Sequence, residues 1–279
     1  MTITSEHTVP LHCQQEGAGR PLLILHGLLG ASANFAGLAR ELGGRYRVLR
    51  ADLRNHGRSP HTDAMNYPLM AADVLRLLDD QGVESCAVVG HSMGGKVAMQ
   101  LALTHPERVA CLVVVDIAPD SYPAQRHDDV LRALADIDLG AIASRAEADR
   151  ELRERIADQA LRQFLLTNLQ RSGEHLAWRV NVKALLAHRG DIAAAPTGAG
   201  RFPGPCLFIK GSESDYIGPD HPAAIARCFP QARLRIVQGA GHWVHADKPA
   251  AFGAAVAHFL ERAYPAVAAG TDPQTQEPM

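Results

Sequence analysis

Gly90-His91-Ser92-Met93-Gly94 holds the residue types and spacing best suited to chemistry. A continuous apolar run, Cys86-Ala87-Val88-Val89, precedes it, and a helix-forming run, Lys96 to Leu103, follows. That order predicts a serine on a sharp turn between a buried strand and a helix. The hydroxyl would be exposed beside the positive N-terminal end of the helix. The flanking glycines leave room for a turn that side chains would block. Such a serine can attack a carbonyl carbon, provided that a base takes its proton and a third group orients the base. The bland alternative is a Gly-rich turn without chemistry.

The elements around this turn must position it. Apolar runs predict strands at Pro21–Leu25, Tyr46–Asp52, Cys86–Val89, Cys111–Asp116, Pro205–Lys210 and Ala232–Val237. Helical patterns fall at Asn34–Leu42, Leu69–Asp80, Lys96–Leu103 and Ala250–Arg262. The alternation implies an α/β fold, with a mostly parallel sheet and helices on both faces. In such sheets function sits beyond the C-terminal strand ends. His26, Asp52, Ser92, Asp116, the segment after Lys210 and His242 all fall there.

The stretch 119–202 breaks the alternation. It has no convincing strand, and helical patterns run over Asp128–Ala135, Ala146–Arg155 and Asp158–Gln170. Ser144 and Glu147 have the spacing of a capping box. Leu161, Leu165 and Leu169 repeat at helical spacing. The expectation is a helical cap, 119–202, inserted between strands of a core formed by 1–118 and 203–265. The remaining 266–279 has almost no large apolar residue and is expected to be disordered.

The base should follow the last core strand, since serine, acid, histidine is the chain order for a serine on this kind of turn. Gly239-Ala240-Gly241-His242-Trp243 lies there, and His242 is the candidate. His245 is its rival, set where the chain leads into the last helix. Negative charge developing on the attacked carbonyl needs two backbone N–H groups. Met93, after the serine, supplies one, and Leu28, in the loop His26-Gly27-Leu28-Leu29-Gly30, supplies the other. His26 reads as a brace for that loop.

His26-Gly27, Asp52-Leu53-Arg54-Asn55-His56-Gly57-Arg58-Ser59, Gly90 to Gly95 and Gly241-His242 together resemble an α/β-hydrolase over residues 10 to 262. More narrowly, Asp52 to Gly57, Gly95 to Met99, Val115-Asp116-Ile117-Ala118-Pro119 and Gly241 to His245 resemble the bacterial YbfF-type serine esterases. These are similar to a group of mitochondrial abhydrolase-domain proteins of eukaryotes. The resemblance implies a carboxylesterase acting on small acyl esters or thioesters, with a helical cap and no cofactor.

The acid has two candidates. Capped members of the superfamily commonly carry it in G-x-x-D after the strand that follows the cap. Here Gly211-Ser212-Glu213-Ser214 puts serine at that position, with Asp215 one residue late. Asp116, ending the strand after the serine's helix, is the other candidate, since a buried carboxylate there would be costly without a partner. The resemblance favours Asp116. Ser214 then becomes a possible fourth member of the cluster, or a turn serine satisfying its own backbone.

Trp178, Tyr216 and Trp243 are candidate walls of a substrate pocket, although aromatics at such positions often serve only packing. His56 and Asp52 lack a third ligand at metal-binding spacing, so no metal is expected. Gly90 to Lys96 has the glycine and lysine spacing of a phosphate loop, but Val97 replaces the hydroxyl residue that would hold Mg²⁺.

Composition closes off other classes. The chain has 279 residues, 47% hydrophobic and 21% charged, with net charge −2. That balance suits a globular protein and gives no footprint for nucleic acid or an anionic membrane. No apolar run approaches the roughly 20 residues of a membrane span. The N-terminal residues show no signal peptide. Five scattered cysteines, Cys13, Cys86, Cys111, Cys206 and Cys228, read as buried thiols of a reducing cytoplasm. The expected partner is a small-molecule acyl ester or thioester. A C–C bond hydrolase, a cofactor-free peroxidase or a slow-turnover small-molecule receptor would share fold and triad.

Overall fold

The computed structural model describes residues 7–173, 175–198 and 200–266. Of the tail read from the sequence, 267–279 lies outside the described residues, as does 1–6 of the N-terminal segment.

A seven-stranded sheet forms the centre. Its strands are β1 (Cys13–Glu16), β2 (Pro21–Leu25), β3 (Arg47–Ala51), β4 (Cys86–His91), β5 (Val109–Val115), β8 (Cys206–Gly211) and β9 (Ala232–Val237). They lie in the order β1-β3-β2-β4-β5-β8-β9. All pairs are parallel except β1 with β3. The sequence does not signal β1, because Cys13-Gln14-Gln15-Glu16 is a polar edge strand with no apolar run. In β4 and β5 successive side chains feed opposite faces. Val88, Leu112 and Val114 pack on one side, and Val89, Val113 and Val115 on the other. Full burial on both faces is why these strands read as unbroken apolar runs.

Helices α1 (Ala36–Leu42), α2 (Tyr67–Asp80), α3 (Met93–Thr104), α9 (His221–Cys228) and α11 (Pro249–Ala263) cover the sheet, and the short α10 (Val244–Asp247) leads into α11. Asn66 explains why α2 starts two residues earlier than its periodicity predicts. Its side chain accepts from Leu69 N–H, and Pro68 occupies the first turn. A buried ion pair ties α2 to the loop after β3. Arg54 Nε lies 2.6 Å from Asp73 Oδ2, and both side chains are about 1% exposed.

Between β5 and β8 the chain forms α4 (Asp128–Ala135), α5 (Arg145–Arg153), α6 (Gln159–Leu166), α7 (Val182–Ala187) and α8 (Arg189–Ala193). Ser144 caps α5 by accepting from Glu147 N–H, and the Glu147 carboxylate reaches back to Ala143 N–H. One expectation is overturned. The helix predicted to reach Gln170 stops at Leu166, and a hairpin follows, β6 (Leu169–Ser172) with β7 (His175–Trp178). Asn168 draws the chain out of the helix. Its amide donates to Leu29 O at 2.7 Å, and its own carbonyl accepts from Arg179 N–H at 2.7 Å. Leu169, the last member of the helical repeat, is therefore a strand residue.

Candidate active site

Among the described residues, the non-glycine positions with positive φ are Leu29 (59°), Asn55 (64°), Ser92 (51°) and Asp116 (52°). Ser92 and Asp116 directly follow β4 and β5, and Leu29 and Asn55 lie four residues beyond β2 and β3, so each of four neighbouring strands is followed by a loop with one strained residue. Such conformations cost about 1–3 kcal/mol each and persist where the surroundings over-determine them.

Ser92 has φ 51° and ψ −117° between β4 and α3. The turn closes only because its neighbours are glycine. A Cβ on Gly94 would lie 2.4 Å from the His26 carbonyl oxygen, and one on Gly90 would lie 2.4 Å from that of Gly94. Ser92 Oγ lies 3.0 Å from His242 Nε2, and His242 Nδ1 lies 2.8 Å from Asp116 Oδ2. The carboxylate keeps the proton on Nδ1, which leaves Nε2 free to accept from the serine hydroxyl. Asp116 is wholly buried but fully partnered. Oδ1 accepts from Gly211 N–H at 3.1 Å, and Oδ2 also accepts from the Ser214 hydroxyl.

The other candidates fall elsewhere. Asp215 pairs with Arg126, and that guanidinium holds its carboxyl below the usual range. His245 stacks on Phe35, with ring centroids 4.4 Å apart, and meets His91 edge-on. Burial pushes its imidazole down to about 4. Trp178 donates its indole N–H to Leu134 O, between the helices of the insertion. Trp243 meets Phe164 and the edge of His242. Neither tryptophan joins the lining of the cleft beside Ser92, whereas Tyr216, Leu28 and Met93 do. This cleft is also walled by Tyr67, Tyr122 and Ile192.

The loop that carries Leu28 is braced by two buried histidines. His26 donates from Nδ1 to Gly27 O and accepts Leu53 N–H at Nε2. His56 donates to Arg54 O and accepts Leu29 N–H. Burial depresses both, His56 to about 3, so they stay neutral and can accept. Asp52 adds acceptors for Ser32 and Arg58 N–H. The polar loop after β3 is thus scaffolding.

Two contacts escape sequence reasoning. His91, the variable residue inside the glycine–serine motif, donates from Nε2 to the His242 carbonyl at 2.9 Å. Its full burial holds it well below the ordinary histidine range, as a neutral donor. Tyr216 stacks flat on His242 with ring centroids 3.8 Å apart, and Arg126 lies over its other face at 3.9 Å. The only sequence signal was adjacency, of His91 to Ser92 and of Tyr216 to Asp215.

Comparison with known proteins agrees with this arrangement. A family model described as the alpha/beta hydrolase fold matches residues 20–249. The sn-1-specific diacylglycerol lipase ABHD11 of Xenopus laevis is 41% identical over 253 residues, covering 88% of this chain and 81% of that protein. Esterase YbfF of Escherichia coli (strain K12) is 36% identical over 250 residues, covering 88% and 95%. A solved structure described as a marine microorganism esterase superposes with a TM-score of 0.88 at 38% identity, covering 91% of this chain and all of that one. By sequence match, sheet order and the strained serine turn alike, the chain belongs to the α/β hydrolase fold family, in the group of relatives that includes esterase YbfF.

Proposed function

We propose that the protein is a serine carboxylesterase that hydrolyses small to medium acyl esters or thioesters through an acyl-serine intermediate. The observation that carries this reading is the unbroken relay from Ser92 Oγ to His242 to buried Asp116, opening on a cleft. Ser92 attacks the carbonyl carbon while His242 Nε2 takes its proton. Asp116 orients the imidazole and stabilises its charged form. Leu28 and Met93 N–H groups hold the oxyanion, each such donor being worth about 3–4 kcal/mol of barrier. His242 returns the proton to the leaving group, then draws one from the water that releases the acid. No step calls for a cofactor or metal.

Ser214 joins the relay as a fourth member through Asp116. Tyr216 lines the acyl or leaving-group side beside His242. Residues 119–202 act as a cap over the core of 1–118 and 203–265, and the apolar and aromatic walls of the cleft, Leu28, Tyr67, Tyr122 and Ile192, support an acyl substrate. Among the described residues no helix is long and apolar enough to cross a membrane. The unpaired thiols suit a cytoplasmic location.

Turnover of p-nitrophenyl acetate and butyrate, with Ser92→Ala as control, tests the reading. Cleavage no faster than the control would falsify it.

A further inference from the structure

Lys96 lies four residues after Ser92 on α3, and so on the same face of the helix. It is 1% exposed, and burial pulls its ammonium down to about 7; among the described residues no carboxylate lies within ion-pair distance, the Asp120 carboxylate favouring the charged form only from further away. Its ammonium donates instead to backbone carbonyls: Asp120 O at 2.7 Å, Ala193 O at 3.0 Å and Ala194 O at 2.5 Å. Asp120 lies on the segment leading into the cap, and Ala193, the last residue of α8, and Ala194 lie on the segment returning from it. A lysine has three donors and no acceptor, so the match to three carbonyls is complete. The two segments also bond to each other, Tyr122 N–H to Ala193 O and Ala195 N–H to Ser121 Oγ. One turn further on, Gln100 holds the returning segment alone. It donates to Thr197 O and accepts Thr197 N–H and Oγ1–H.

Lys96 also lines the cleft with Ser92, its Nζ 4.7 Å from the ring centroid of Tyr122 and 5.7 Å from that of Tyr67. Tyr67 in turn donates to Ile192 O on α8. The cleft walls Tyr67, Tyr122 and Ile192 are therefore all tied to segments that meet at Lys96. An apolar side chain would fill the same space without the cost of burying a charge. The charge must therefore serve the carbonyls.

We propose that Lys96 is a positioning residue: its ammonium pins both hinge segments of the cap to the helix that Ser92 caps, and thereby sets the reach of the acyl pocket. The inference rests on the serine esterase reading for its substrate side only. With the pin in place, Tyr67, Tyr122 and Ile192 close the pocket to long acyl chains. Without it the hinge segments part and long chains enter.

The test compares wild type with Lys96→Met, which keeps the stem and removes the donors. Hydrogen exchange is measured over 119–127 and 191–198, and kcat/KM is measured for p-nitrophenyl acetate, butyrate and octanoate. The expected result is faster exchange in both segments and a roughly tenfold rise in the octanoate-to-acetate ratio, the scale of one lost charged hydrogen bond. Gln100→Ala should speed exchange only in the returning segment and leave the ratio unchanged. Lys96→Ala guards against misfolding of the first variant. Added n-propylammonium should restore its exchange and selectivity, and n-propanol should not. Folded variants with wild-type exchange and an unchanged ratio overturn the proposal, as does rescue by the alcohol. If wild type cleaves no ester, the hydrolase reading fails, while the exchange data still decide whether Lys96 is the pin.

Discussion

Ser214 and His242 share one acceptor: the Ser214 hydroxyl and His242 Nδ1 both donate to Oδ2 of Asp116. Ser214 holds the third position after Gly211, and its hydroxyl reaches the carboxylate of the residue that directly follows β5. Replacing Ser214 with Ala removes one of the donors that orient this carboxylate. A fall in kcat of roughly fivefold to tenfold is expected, with KM little changed, from the loss of one charge-assisted hydrogen bond. Ser214→Thr should restore most of it. Full activity in Ser214→Ala would reduce the serine to a turn residue.

The two aspartates separate cleanly by isosteric change. Asp116→Asn should lower kcat by roughly four orders of magnitude, because the imidazole loses the partner that sets its tautomer. Asp215→Asn only releases Arg126 and should stay within a few-fold of wild type. The opposite ranking in steady-state kinetics would exchange their roles.

His91 anchors the loop that carries His242. His91→Phe keeps the ring volume and removes the donor. A fall in kcat of roughly tenfold to a hundredfold is expected, since small displacements of a reacting group are costly. KM should hold steady. A matching rise in KM would point to general loosening of the cleft instead.

Acid should weaken the fold through its buried imidazoles. Burial holds His245 at about 4 in the folded protein, against an ordinary value of 6.5. The unfolded chain therefore binds the proton more readily between these values. The stability is full above about 6.5 and is lost as pH falls towards 4. His245→Phe should flatten this decline by about 3 kcal/mol. Urea unfolding at a series of pH values measures it, and a slope equal to that of wild type counts against the assignment.

The Arg54–Asp73 pair sets a different kind of test. Asp73→Asn leaves a buried guanidinium unpaired and should cost about 3–5 kcal/mol in urea unfolding. A double change to apolar residues of similar volume should recover most of that loss.

Much of this was legible in the residues, for physical reasons. Strands buried on both faces read as apolar runs, and the polar residues ending them, His26, Asp52, Ser92 and Asp116, had to face the same rim. Flanking glycines marked Ser92 because close backbone approach excludes side chains there, and Gly239 marked the His242 loop because its φ of +67° favours glycine. Short polar strands left no such trace. Cys13–Glu16 has no apolar face, and Leu169–Ser172 continued a leucine repeat that Asn168 interrupts through a bond to Leu29, far along the chain. Trp178 likewise gave no sign that its indole would turn to Leu134. Contacts made by backbone carbonyls, such as those of His91 and Lys96, depend on tertiary position and have no motif.

The register of β4 and β5 has a consequence for how the site can fluctuate. His91 and Val115 are paired across these strands, and Ser92 N–H donates to Val115 O. Ser92 and Asp116 are the next residues on each strand, and both turn off with φ near +50°. Their separation is therefore a property of the sheet, as stiff as the ladder itself. Only His242 rides on a loop, and His91, Tyr216 and Asp116 each restrain it from a different side. The site is a two-point rigid frame with one guided part. Drift in activity with temperature or mutation should therefore trace to the His242 loop before it traces to Ser92 or Asp116.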